Sequence, residues 1–179
     1  MGFAKAYVDE NNQHIPYVEG KPMAGTMRYC SANNQQGREV GRRDDLEALL
    51  FLAVYLFKRD LPWEHIACSQ SANAFEQNQI RGKNHWQLPF AHLSERHVPF
   101  IGNFKESIKP EELCAGMPRQ FAQYLRMVRP DKIEFEARPP YRKLIGIMRD
   151  VLTHLGVTFE ENFYDWDEYH NPLPMYMRS

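Results

Sequence analysis

The chain has 179 residues, 43% apolar and 25% charged, which suits one globular domain and excludes a disordered segment. With 22 basic and 23 acidic residues the net charge is −1, so no bulk field points to nucleic acid or an anionic membrane. Cys30, Cys68 and Cys114 form no Cys-x-x-Cys pair and the seven histidines no His-x-x-x-His pair, so neither a disulfide framework nor a metal site is expected. Three unpaired cysteines and the lack of a signal-like start fit a cytoplasmic or nuclear setting.

Residues 1 to 40 carry weak periodicity and many turn formers, among them Asn11-Asn12, Gly20, Pro22, Gly25, Asn33-Asn34 and Gly37. This predicts a long ordered loop, and loops of that length inside a compact domain tend to be functional. A helix follows over 44 to 58. Asp44 or Asp45 can cap it, with Glu47 in the first turn, and Lys58-Arg59 suit its carboxyl end before Leu61-Pro62-Trp63 stops it. Its body, Ala48 to Phe57, is apolar on every side, which predicts a central helix surrounded by protein. That run has about half the length needed to cross a bilayer.

Residues 64 to 100 read as an inserted polar surface segment, with Phe75, Trp86 and Phe90 as its docking side chains. From 101 to 179 the pattern turns helical. Pro110 opens a short helix, and Phe121, Tyr124, Leu125 and Val128 lie on one face of another. Tyr141, Leu144, Met148, Val151, Leu152 and Leu155 form a second stripe, closed by Gly156. The tail beyond Asn162 is acidic with one aromatic anchor, Trp166. The expected fold class is mainly α, in a single domain.

Several short motifs, in order, resemble the casein kinase 1-type Ser/Thr protein kinases. Gly25-Thr26-Met27-Arg28-Tyr29-Cys30-Ser31-Ala32-Asn33 is similar to the Gly-Thr-Ala-Arg-Tyr-Ala-Ser-Ile-Asn run that closes their activation segment. Arg42 to Glu47 with Leu61-Pro62-Trp63 resembles the central helix and its exit, and His14-Ile15-Pro16-Tyr17 resembles a run just upstream. Pro110 to Gly116, Phe121 to Leu125 and Tyr164-Asp165-Trp166 continue the match, which skips residues 67 to 99. The resemblance implies a kinase carboxy-terminal helical lobe with an activation-segment-like loop in front. It also implies that Gly25, Thr26, Arg28 and Tyr29 bind protein substrate, and that Asp45 anchors the backbone of the catalytic loop.

Within that resemblance Arg28 would form an anion site for acidic or phosphorylated substrates, since a guanidinium fork suits phosphate. Two plainer roles stay open: Asp45 as a simple cap, and Arg28 as a salt bridge within the loop. The Lys that completes the family's anion site is replaced here by Ala74 or, in another alignment, His97, which weakens a phosphate preference or makes it pH-sensitive.

Phosphoryl transfer needs a Gly-rich loop, a strand Lys paired to a helix Glu, a catalytic-loop Asp and Asn, and a metal-binding Asp-Phe-Gly. The 179 residues hold no Gly-x-Gly and no His-Arg-Asp, and Met1 stands where the Phe of Asp-Phe-Gly falls. No catalytic residue, cofactor or metal ligand is therefore expected in this chain, and ATP with Mg²⁺ only where an amino-terminal lobe and catalytic loop accompany it. The reading is a kinase fragment inactive on its own. The alternative is a non-catalytic scaffold or substrate-binding module derived from a kinase lobe. The ordered motifs argue against an unrelated helical domain.

Overall fold

The computed structural model describes residues 4–64 and 98–157. Six helices run through them: α1, Ala32–Gln35; α2, Arg42–Lys58; α3, Val98–Ser107; α4, Pro110–Leu113; α5, Arg119–Val128; and α6, Tyr141–His154. There is no strand among the described residues, and the one antiparallel bridge joins Val8 to His14. Most of the predicted surface segment, with Phe75, Trp86, Phe90, Ala74 and His97, lies outside the described residues, as does the acidic tail.

The central helix begins two residues earlier than its sequence pattern suggests. Gly41 is the N-cap, and Asp44, at the third helical position, accepts the Gly41 N–H at 2.8 Å. Neither Asp44 nor Asp45 is therefore the capping residue itself: Asp44 works from inside the first turn, satisfying a donor that the side-chainless cap leaves behind. At the other end Arg59 takes a left-handed conformation, its N–H bonding the Tyr55 carbonyl at 2.7 Å, and Lys58 donates to Leu113 O at 2.7 Å.

Leu50, Phe51 and Val54 of α2 are buried with Leu61 and Trp63 against α5, whose Phe121, Tyr124, Leu125 and Val128 supply the facing stripe. Helix α6 packs on α5 through Leu144, Ile147 and Val151. Its stripe is rotated from the predicted one, since Ile147 is buried and Leu155 is more than half exposed beyond the helix end. Gly156, at φ +69°, closes α6 as expected, with Val157 N–H returning to Leu152 O at 2.9 Å.

Helix α2 is central but not enclosed. Leu49, Leu56 and Phe57 each remain more than half exposed, and with half-buried Leu52 they form an open apolar face. Asp45 heads that face, one turn before Leu49.

The front loop is tied down by polar groups. Glu39 is buried and receives Lys5 at 3.1 Å and Lys21 at 2.6 Å. His14 and Tyr17 set their rings edge-on to Phe135, at 4.8 and 5.4 Å. At Gly37, φ is +72° and a Cβ would meet the Lys21 carbonyl at 2.9 Å, so a side chain there would push the two loop segments apart.

Candidate functional site

The loop starts with Gly25 at φ +90°, a conformation that L side chains rarely adopt. Thr26 O then accepts the N–H groups of Tyr29 and Cys30, each at 3.0 Å, which closes a tight turn. Asn34 of α1 fixes the loop's entrance by donating to Ala24 O at 2.8 Å and accepting Ala24 N–H at 3.0 Å. Helix α1 is in turn held to α2: Glu47 accepts Ala32 N–H at 3.0 Å and Asp44 accepts from the Asn33 amide at 2.9 Å.

This scaffold leaves a cleft of about 270 Å³ lined by Gly25, Thr26, Tyr29, Asn34, Asp44 and Asp45, among others. Four of the five site residues expected from sequence thus share one cleft. The Thr26 hydroxyl and the Asp45 carboxylate make no hydrogen bond among the described residues. Partial burial in the cleft, then the neighbouring Asp44 charge, push the Asp45 carboxyl above the ordinary aspartate range.

Arg28 does not join the cleft. Its guanidinium turns to the other side of the loop, forms an ion pair with Glu64 and lies 4.9 Å from the Tyr55 ring centroid. Tyr29, which lines the cleft, also stands edge-on to Tyr55 at 5.5 Å. Of the two roles open from sequence, Arg28 has the salt-bridge geometry in this structure.

Several residues that build the site were not singled out from sequence. Lys105 of α3 donates to the carbonyls of Met27, Arg28 and Cys30, and the Trp63 indole N–H donates to Arg28 O at 2.9 Å. Arg129 faces Glu47 at 3.5 Å and caps the end of α3 by donating to Lys105 O, Glu106 O and Ile108 O at 2.7 to 3.0 Å. Burial raises the Glu47 carboxyl, against the pull of Arg129. Lys105 had a legible signal, since Ile101, Lys105 and Ile108 share one helical face and a lysine inside an apolar stripe is anomalous. Cys30 is buried and its thiol is pushed up by burial, so it is not poised as a nucleophile.

No family model matches the chain. It is 36% identical to Casein kinase I homolog 1 of Schizosaccharomyces pombe over 172 residues, 96% of this chain and 33% of that protein. To Casein kinase I homolog 2 of the same yeast it is 36% identical over 167 residues, 93% of this chain. To Casein kinase I homolog 1 of Saccharomyces cerevisiae it is 35% identical over 167 residues, covering 26% of that protein. The chain belongs to the casein kinase 1 family. It spans about a third or less of the length of the curated relatives it matches. Its helical architecture is that of the family's carboxy-terminal lobe.

Among the described residues no three His, Cys, Asp or Glu side chains converge as a metal-binding cluster, and no Gly-x-Gly exists to cover a nucleotide. What the arrangement offers is a cleft, an exposed threonine hydroxyl, and a carboxylate at a helix start with no hydrogen-bond partner among the described residues. No described helix is long and apolar enough to cross a membrane.

Proposed function

We propose that this chain is the substrate-side part of a casein kinase 1-type Ser/Thr kinase domain. Its cleft at Gly25, Thr26 and Tyr29 receives a protein substrate, and α2 seats the catalytic loop and ATP-binding part contributed by sequence beyond these 179 residues. The observation that carries this reading is the open face of α2. Asp45, without a hydrogen-bond partner among the described residues, heads a stripe of exposed Leu49 and Leu56 beside Thr26. Exposed apolar stripes of this kind mark surfaces made to be covered. A carboxylate at the first turn is suited to accept backbone N–H groups from whatever covers it.

In that assembly the 179 residues bind and orient the substrate, while transfer of the phosphoryl group from ATP belongs to the groups that they lack. An acidic or phosphorylated side chain on the substrate would have to exchange with Glu64 for the Arg28 guanidinium. Cys30 and Cys114, both buried free thiols, support a reducing, cytoplasmic or nuclear setting.

The test is a chimera that joins the region preceding the match in the fission-yeast relative to this chain. The chimera should transfer phosphate from ATP·Mg²⁺ to protein serine, and the 179 residues alone should not. Asp45→Asn should lower the chimera's rate by about 100-fold, as expected when a catalytic loop is misplaced by an ångström. A folded, ATP-binding chimera that transfers nothing, or whose rate ignores Asp45→Asn, would contradict the proposal. The scaffold reading would then be the one left standing.

A further inference from the structure

Lysine is almost never fully buried without a charged partner, yet Lys105 is completely buried and has no carboxylate within ion-pairing distance among the described residues. Its Nζ lies 2.8 Å from Met27 O, 3.3 Å from Arg28 O and 2.8 Å from Cys30 O. The Trp63 and Phe51 ring centroids are 4.7 and 5.2 Å away. Three donors thus meet three carbonyls of one turn, over an aromatic floor that favours a cation.

An apolar side chain would fill this space without the desolvation cost of a buried charge, but it would leave the carbonyls of the turn without the hydrogen bonds of the ammonium. What lysine adds is a fixed position for the turn. Arg28 O also receives the Trp63 indole, and Met27 O also receives the Gln35 amide at 3.3 Å. Cys30 O has no second donor among the described residues. The lysine's own backbone is fixed by Arg129, which donates to Lys105 O at 2.7 Å.

We infer that Lys105 is a positioning residue for substrate binding: its ammonium pins the 27–30 turn to the floor of α2 and so sets where Gly25, Thr26 and Tyr29 stand in the cleft. The inference rests on the reading that this cleft receives substrate. The charged and titratable groups facing the ammonium are Cys30 from the loop and Glu47 from α2, and both favour its charged form. Burial lowers its pKa to about 8, which leaves it mostly protonated at neutral pH.

The experiment compares amide hydrogen exchange and serine-peptide binding in the full 179-residue chain, Lys105→Met and Lys105→Arg. In Lys105→Met the Tyr29 and Cys30 amides should exchange about tenfold faster while α5 and α6 keep their protection. Peptide binding should weaken by about the same factor, with part of both effects restored in Lys105→Arg. Unchanged exchange in the turn, or a rise spread evenly over the chain, overturns the role given to Lys105. A wild-type chain that binds no peptide overturns the substrate reading instead, and equal binding by wild type and Lys105→Met overturns the positioning role alone. Should Lys105→Met fail to fold, the unmodified chain decides by NMR. A slowly exchanging ammonium signal for Lys105 supports the pin, and free exchange with water overturns it.

Discussion

The two ends of α2 are held by different physics. Its carboxyl end packs through Leu50, Phe51 and Val54 against α5, and α6 completes an apolar core behind it. Its amino end is surrounded by buried polar and charged groups: Asp44, Glu47, Asn33, Lys105 and Arg129. Apolar packing is non-directional and tolerates volume-conserving exchange. Buried hydrogen bonds and charges are costly but specify one backbone arrangement. The molecule uses the first where it needs mass and the second where it needs a loop in one place.

Removing one partner from the polar end should have the largest effect. Glu47→Leu strands Arg129 and the Ala32 N–H, and should cost about 3–5 kcal/mol in urea unfolding. Adding Arg129→Met to Glu47→Leu should recover only part of that loss, because it removes the unpaired charge but also the donors to Lys105 O, Glu106 O and Ile108 O. At the apolar end Leu125→Ala should cost about 2–5 kcal/mol with no preference for the loop in hydrogen exchange. If the two variants loosened the loop equally, the contrast between the ends would fail.

A smaller effect separates Arg28 from its internal partner. Glu64→Gln should strengthen binding of a phosphoserine peptide by about tenfold, roughly the value of one charge-assisted contact. Equal affinities by calorimetry would show that the Arg28 guanidinium is not an anion site held shut by Glu64.

The pH dependence follows from Lys105, whose pKa in the fold, about 8, lies below the usual 10.5. Between those values the unfolded chain holds a proton that the folded chain has released, so this group makes stability rise with pH. Lys105→Met should abolish that rise, seen as a wild-type minus variant difference that grows from pH 8 towards pH 10.5. A difference that is flat or shrinks would contradict the assignment. The smallest change belongs to the exposed Arg126–Glu111 pair. Arg126→Ala should leave the urea-unfolding midpoint essentially where it is in the wild type.

Much of the apolar half was legible in the sequence, because Phe121, Tyr124, Leu125 and Val128 repeat at helical spacing and Gly156 marks a helix end. The same reasoning misjudged α2: a run apolar on all sides implies enclosure, yet Leu49 and Leu56 face outward among the described residues. Periodicity reports what a helix could bury, not what this segment supplies to cover it. Motif resemblance pointed to Gly25, Thr26, Tyr29 and Asp45, which line one cleft, and left Arg28 open between an anion site and a salt bridge. Glu64, with which Arg28 forms an ion pair, lies 36 positions further along, and nothing in local spacing announces such a pair. The partners of Lys105, Glu47 and Arg129 were hidden for the same reason, since buried polar networks join distant segments.

The most direct test of the account is to titrate the 179-residue chain with a serine-containing peptide and follow every backbone amide by NMR. The account predicts shifts concentrated at Gly25, Thr26, Tyr29 and Asp45, with α5 and α6 unmoved. Shifts centred elsewhere, or none at peptide concentrations that saturate a casein kinase 1 domain, would contradict it.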